Sequence, residues 1–179
     1  MFSNTNLYDC SNLNFGIEYI QYSIRHFEGM FKYCTFMIRS PKILPATTLT
    51  SSCYAYMFYG CTGLTTAPNL PATTLADSCY KSMFYNCTGL VEPPTGWYLP
   101  ATTLANSCYK YMFYGCSKLQ KMAVAYSGTD FDASWDGKWY SFIDYVSRTG
   151  TFYYSKNQTK ENIKSIVPSG WTLVQSTEW

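Results

Sequence analysis

The chain has 179 residues, a net charge of +2 and 13% charged residues, about half the share usual in globular proteins. Proteins that bind nucleic acids concentrate Lys and Arg to neutralise phosphates, so this balance argues against a nucleic-acid partner. No window approaches the run of about 18 apolar residues that spans a bilayer, and we therefore expect no membrane insertion. The length suits one domain, or one repeat array with a cap.

The first residues, MFSNTNLYDCSNLNFG, show no signal peptide, because they lack its basic start and its continuous apolar stretch. A leader could have been removed, and a virion component or an intracellular protein would need none. We expect an extracellular, cell-surface or virion location.

Three lines of the sequence are almost identical. They read LPATTLTSSCYAYMFYGCTGL from Leu44, LPATTLADSCYKSMFYNCTGL from Leu70 and LPATTLANSCYKYMFYGCSKL from Leu99. Aligned on their second cysteine, the copies recur after 26 and then 29 residues. A period between about 20 and 50 residues is typical of repeat proteins.

Two degraded copies precede the regular ones, around Cys10 and Cys34. We therefore predict a solenoid over residues 1–126, with degenerate repeats in 1–43 and regular repeats in 44–126. One repeat cannot bury its own apolar face, so stacking of the copies has to form the core.

Each regular repeat predicts a short helix and then a short strand. In SCYAYMFYGC the residues Cys53, Met57 and Cys61 lie four apart, as on one face of a helix, and Ser52 is placed to cap it. The following LTTAPNLP is apolar at alternate positions, and its prolines limit the length of a strand. The predicted fold class is an α/β repeat solenoid, a right-handed leucine-rich-repeat coil of about five turns with short parallel strands and short helices.

The segment MFYGCTGLTTAP resembles the BspA-like family of bacterial surface leucine-rich repeats. The LPATTL variant is similar to the form found in gut bacteria and their phages. The resemblance covers about residues 5–125 and implies a surface binding or adhesion protein on this repeat scaffold. The upstream copies depart from the pattern, since His26 and Phe2 occupy the position of Cys53.

Residues 127–179 break the period and predict a C-terminal aromatic-rich cap, which a repeat array needs to cover its last core face. The tail contains the apolar stretch WYSFIDYV, a strand pattern in TGTFYYS, a helix start at Thr159 and a turn, PSGW, before the apolar WTLVQ. Four tryptophans lie in it: Trp135, Trp139, Trp171 and Trp179.

The spacing of the cysteines predicts a structural role and argues against a metal site. Zinc sites favour Cys pairs two to four residues apart or nearby His, whereas these pairs have seven residues between them and the chain has one His. Eight residues of helix rise about 12 Å, too far for a disulfide within a repeat. The distance between neighbouring turns would allow a disulfide. Side chains that point in parallel, however, fit the near-perpendicular torsion of a disulfide poorly.

We therefore expect two columns of buried free thiols, and neither a metal nor another cofactor. One column is Cys10, Cys34, Cys61, Cys87 and Cys116, and the other is Cys53, Cys79 and Cys108.

Two repeated surfaces are candidates for binding. The first is an outward row of tyrosines, whose flat rings and polar tips suit sugar recognition but could equally stack on one another. Its members are Tyr56, Tyr59, Tyr85, Tyr111 and Tyr114. The second is the outward strand face, whose irregular chemistry fits a specific ligand or simple surface variation. Its members are Phe15, Arg39, Thr66, Glu92 and Lys121.

Enzymatic chemistry has little support in the sequence. His26 has no nucleophile placed against it. Asp130, Asp132 and Asp136 form a cluster that a glycosidase or a calcium site could use, but a turn-rich loop explains it better. The sequence predicts a non-enzymatic binding or adhesion module for a glycan or protein on a cell or phage surface. The alternative is a scaffold protein that assembles through the solenoid edge or the cap, so self-association is possible.

Overall fold

A computed structural model describes residues 2–15, 24–91, 98–135 and 137–178. Its regular elements, in chain order, are β1 (Lys121–Val124), β2 (Gly150–Tyr154), α1 (Lys160–Ile163) and β3 (Trp171–Gln175). The three strands form one open parallel sheet in the order β1-β2-β3. Met122 pairs with Phe152, which pairs with Leu173, so a row of apolar side chains crosses the sheet.

The predicted right-handed leucine-rich-repeat coil of about five turns, with a strand and a helix in each, is wrong. Within the described ranges, regular structure is limited to three short strands and one helix of four residues, and most of the chain is irregular. The regular repeats form no helix between Ser52 and Cys61 or at the equivalent positions.

Left-handed backbone at every fourth residue explains the absence of these helices. Ser52, Tyr56 and Gly60 have φ values of +57°, +57° and +70°. A right-handed helix needs negative φ throughout, so it cannot pass through these residues. Instead each turn closes after three residues, as where the Ala55 N–H donates to the Ser52 carbonyl at 3.1 Å. In this arrangement, side chains four residues apart share a face. The resulting sequence pattern is the same as that of a helix.

We call such a segment a ribbon. Positive φ at four-residue spacing and the same hydrogen bonds mark five ribbons among the described residues. They are ribbon 1 (25–33), ribbon 2 (52–60), ribbon 3 (78–86), ribbon 4 (107–115) and ribbon 5 (138–145).

Neighbouring ribbons are joined by backbone hydrogen bonds from every second residue. Tyr54 donates to the Cys79 carbonyl at 3.0 Å, and Phe58 donates to the Met83 carbonyl at 2.9 Å. The alternate residues, such as Ala55 and Met57, donate within their own ribbon. Amides of both kinds are therefore satisfied, as buried backbone requires.

The strands predicted after each helix are reduced to single bridges in the regular repeats. In LTTAPNLP, Thr66 pairs with Arg39 and Asn69 pairs with Ile43, both in parallel. The nearby prolines, which have no N–H to donate, agree with such short pairing. β1 in the last repeat extends to four residues.

The stacked ribbons align aromatic side chains through the core. Phe31, Phe58, Phe84 and Phe113 are almost parallel, with neighbouring ring centroids 5.1–5.5 Å apart. A second column runs through Tyr54, Tyr80 and Tyr109 to Trp139. Each buried aromatic ring contributes about 1.5–3 kcal/mol through its burial, so these columns supply much of the stability.

The cysteines are all free and buried. In one of the two columns the thiols donate to phenylalanine carbonyls of the preceding copy: Cys61 to Phe31 and Cys87 to Phe58, each at 3.0 Å. Cys34 and Cys116 make the equivalent bonds. A small apolar side chain that also donates fits this position, which explains why cysteine recurs there.

The tail contains the predicted strands and helix start. TGTFYYS forms β2, WTLVQ forms β3, and α1 follows Thr159, whose side chain makes no capping hydrogen bond. The sequence predicts the stretch WYSFIDYV as part of the cap. In the structure most of it belongs to ribbon 5, whose carbonyls accept backbone hydrogen bonds from ribbon 4. The repeating backbone thus continues past residue 126.

Gly60 tests the ribbon geometry. An added Cβ would lie 2.6 Å from Cδ1 of Tyr33, at a residue whose φ is already +70°. We expect Gly60→Ala to lower the free energy of unfolding by about 2–4 kcal/mol, measured by urea denaturation.

The matched control is Gly29→Ala, where φ is +60° but the nearest atom is 3.8 Å away. It should cost about 1–2 kcal/mol from backbone strain alone. Tyr33→Ala should cost less in the Gly60→Ala background than in the parent protein, because there it also relieves the clash. Equal costs at the two glycines would contradict a role for the Tyr33 contact.

The buried thiols predict an alkaline loss of stability. Burial raises the pKa of Cys53 to about 11 and that of Cys61 and Cys108 to about 12, from 9.0. Unfolded thiols ionise first as pH rises, which favours the unfolded state. The contribution of these neutral thiols to the free energy of unfolding is complete below pH 9 and is lost between pH 9 and 12.

Urea denaturation at pH 7 and pH 10 measures this effect. Each of these thiols should contribute about 1 kcal/mol to the decrease between the two pH values. Cys61→Ala should show a smaller decrease than the parent protein, whatever its stability at pH 7. An identical decrease would show that this thiol is not protected in the folded state.

Candidate binding surface

The ribbons carry two rows of aromatic side chains on one outer side, which we call the tyrosine surface. The outer row is Tyr33, Tyr59, Tyr85, Tyr114 and Tyr145, and the second row is Tyr56, Tyr111 and Tyr140. It includes the five tyrosines predicted from the sequence, and all five are half-buried. Because equivalent residues of stacked ribbons lie side by side, the rows follow the stack.

The centre of the outer row is a tight stack. The rings of Tyr59 and Tyr85 lie 4.7 Å apart at 2°, and those of Tyr85 and Tyr114 lie 4.7 Å apart at 9°. Of the two interpretations open from the sequence, mutual stacking therefore applies here. Ring faces inside the stack are covered, while ring edges and hydroxyls remain partly exposed.

The stack also shifts the pKa of its hydroxyls. Desolvation, reinforced by the neighbouring tyrosines, raises the pKa of Tyr59 and Tyr114. A phenol with the ordinary pKa of about 10 is already neutral near pH 7, so both hydroxyls can donate as well as accept hydrogen bonds.

The second row is interrupted at Ser82. This residue has the same left-handed backbone and the same place in its ribbon as Tyr56 and Tyr111. Its small side chain is 3% exposed and forms the floor of an open cleft of about 440 Å³. Tyr56, Tyr59, Lys81, Tyr85, Lys110, Tyr111, Tyr114 and Trp135 complete the lining. A cleft of this volume is within the range of small-molecule sites.

Lysines accompany the rings. The Nζ atom of Lys110 lies 4.6 Å from the ring centroid of Trp135 and also donates to the Trp135 carbonyl. At the other end, Lys32 Nζ lies 4.8 Å from the Tyr59 centroid. Such cation–π contacts hold positive charge beside the rings. The residues lining the cleft include Lys81 as well and no carboxylate.

Sequence reasoning missed these lysines and Trp135 as parts of one site. A signal existed for two of them, because CYKSMF and CYKYMF put Lys81 and Lys110 in the same column of the repeat. Trp135 and Tyr140 lie in a segment that the repeat alignment did not reach.

The predicted strand face is less coherent. Phe15 is 7% exposed and packs edge-on against Phe27, so it does not point outward as expected. Arg39 and Thr66 are exposed neighbours. Arg39 forms an ion pair with Asp9 at 3.0 Å.

The other two members of that face do not extend it. Lys121 is exposed at the start of β1 and lies near the Tyr153 ring. Glu92 is outside the described residues.

The acidic loop and His26 lie outside the lining of the cleft at Ser82. The Asp132 carboxylate accepts hydrogen bonds from the Ser134 side chain and from the Ser134 N–H, and both lower its pKa. Asp130 pairs with Lys138. Asp136 is outside the described residues. His26 is exposed beside Phe27, away from any core column.

Residues 2–15, 24–91, 98–135 and 137–178 contain no group of three or more His, Cys, Asp or Glu side chains suited to a metal ion. In the same ranges, no helix has the length and apolar character needed to cross a bilayer.

Comparison with protein-family models, with curated proteins and with solved structures found no match to this chain. The resemblance to BspA-like surface proteins therefore stays a prediction from the repeat residues.

Proposed function

We propose that this protein is a non-enzymatic binding module that recognises a glycan or a protein on a cell or phage surface through the tyrosine surface. The observation that carries the proposal is the cleft at Ser82, where a regular row of rings is interrupted beside two lysines. Tyrosines already ordered by their neighbours lose little entropy on binding, which favours affinity.

The surface suits sugars for a physical reason. Sugar rings combine an apolar C–H face with a rim of hydroxyls, and aromatic rings with neutral phenol groups complement both. Tyr56 and Tyr111 contact Tyr59 and Tyr114 at their sides, and Ser82 puts no ring between them. The predicted resemblance to bacterial surface proteins supports the same location for this chain, outside the cell or on a virion.

A glycan-array and whole-cell screen tests the proposal. The triple variant Tyr56→Ala, Tyr85→Ala, Tyr114→Ala should lose at least tenfold in affinity for any ligand found, because it removes rings from both rows. The matched control carries Arg39→Ala, Thr66→Ala and Lys121→Ala on the strand face and should bind as the parent does. Loss in the control alone would move the site to that face.

Assembly into a scaffold is a second candidate. β3 lies at the outer edge of the sheet, and a parallel edge can pair with a further strand. Val167, Pro168 and Leu173 line a shallow cleft of about 380 Å³ beside it. A second copy pairing at this edge should raise the sedimentation coefficient between 1 and 100 µM, about the range of weak assembly. A strict monomer throughout would contradict the scaffold hypothesis.

A further inference from the structure

We infer that Trp135 is the stacking platform for one neutral hexose ring at the cleft of the tyrosine surface, and that Lys110 is its positioning residue. This inference rests on the proposed function and names a ligand class for the same site. It combines three observations: the exposure of Trp135, the covered faces of the neighbouring tyrosine rings, and the contacts that hold the indole.

Trp135 offers the most accessible ring of the cleft. The residue is 65% exposed, whereas the five tyrosines that line the cleft are half-buried. An aromatic ring left in water forgoes the stabilisation that burial provides. Trp139 and Trp171 are buried and obtain that stabilisation. The exposed position of Trp135 is therefore one that a ligand would complete.

The tyrosines of the cleft leave little ring face for a sugar. The ring of Tyr85 is stacked between those of Tyr59 and Tyr114, with centroids 4.7 Å apart on each side. Tyr111 and Tyr114 are in edge contact at 5.7 Å. These residues present ring edges and hydroxyls to the cleft, so a face-on contact with a ligand falls to Trp135.

Lys110 and Tyr140 hold Trp135 in place. Lys110 is 6% exposed, and burial of an ammonium group costs free energy unless its contacts compensate. Its Nζ atom donates to the Trp135 carbonyl and lies 4.6 Å from the centroid of the Trp135 ring. Tyr140 contacts the same ring at 5.2 Å, at an interplanar angle of 61°. One face of the indole is thus held by the ammonium group, and the high exposure of the residue leaves the opposite face to a ligand.

A neutral hexose fits that face. The face of an aromatic ring carries negative partial charge, and the C–H groups on one side of a pyranose ring are weakly positive. The hydroxyl rim of the sugar would meet polar groups of Tyr111 and Lys81, which line the same cleft. Proline rings also dock on aromatic side chains, but they bring no hydroxyls to these groups. The cleft therefore favours a sugar over a proline-rich segment.

Fluorescence titration of the full chain at pH 7 tests the inference. The probes are methyl β-galactoside, methyl β-glucoside, sorbitol as a polyol without a ring, and tetraproline as a stacking ligand without hydroxyls. We expect at least one glycoside to bind saturably and about tenfold more tightly than sorbitol or tetraproline. The bound glycoside should protect from acrylamide quenching the part of the tryptophan emission that Trp135→Phe removes.

Trp135→Ala is the decisive variant, because truncation of an exposed side chain has little effect on folding. It should weaken glycoside binding about tenfold, and Trp135→Phe, which keeps a ring, should weaken it about threefold. The matched control is Tyr8→Ala, which removes a ring that is 64% exposed and does not line the cleft. It should have no effect.

Lys110→Met tests the positioning role. It should weaken glycoside binding about fivefold and reduce the near-ultraviolet circular dichroism of Trp135, because the indole is no longer held. Lys110→Arg keeps the charge and should restore both signals. Unchanged binding in Lys110→Met would refute the positioning role.

The outcomes separate this inference from the proposed function. Unchanged glycoside binding in Trp135→Ala, no saturable binding of either glycoside, or tighter binding of sorbitol or tetraproline would overturn the platform. If array binding is lost in the triple tyrosine variant but kept in Trp135→Ala, the proposed function stands and the platform is refuted. If array binding survives both, the proposed function fails as well.

Discussion

The hydrogen bonds between successive ribbons are the constraint on which the rest of the structure depends. Every second amide of one ribbon donates to the next, as Tyr56 does to Lys81 at 2.9 Å, so equivalent residues are brought side by side. This pairing repays the left-handed backbone, which costs about 1–2 kcal/mol at each residue with a side chain. A single ribbon would carry that cost and leave half of its amides unpaired. The ribbons are therefore stable together rather than singly, as in other stacked repeats.

Columns of identical side chains follow from this pairing. Phenylalanines stack on phenylalanines inside, and Tyr59 stacks on Tyr85 and Tyr114 outside. Cys61 and Cys87 satisfy a second demand, because each thiol donates to a carbonyl of the preceding copy while filling little space. At such positions a substituted side chain has to pack within its own repeat and against the neighbouring repeats. The repeated residues are thus maintained by packing and need no ligand to explain them.

The cleft lies at an exception to these columns. Ser82 interrupts a row of tyrosines without changing the backbone, and it opens a cleft beside Lys81 and Lys110. A difference from the neighbouring copies at one position costs the stack little, since the hydrogen bonds that hold the ribbons come from the main chain. A repeat scaffold can in this way carry a specific site at one copy and keep the other copies regular.

The sequence by itself determined the period, the copies, the buried thiol positions, the strands of the tail and the five central tyrosines of the tyrosine surface. These follow from which residue types recur together, and recurrence is visible without coordinates. It did not determine the backbone of the repeat, because apolar residues four apart match a helix and a four-residue turn equally well. The left-handed residues that decide between them, such as Ser52 and Tyr56, are allowed by the pairing of neighbouring ribbons, a tertiary interaction. The cleft was decided in the same way, since Trp135 reaches Lys110 through the fold and not through spacing along the chain.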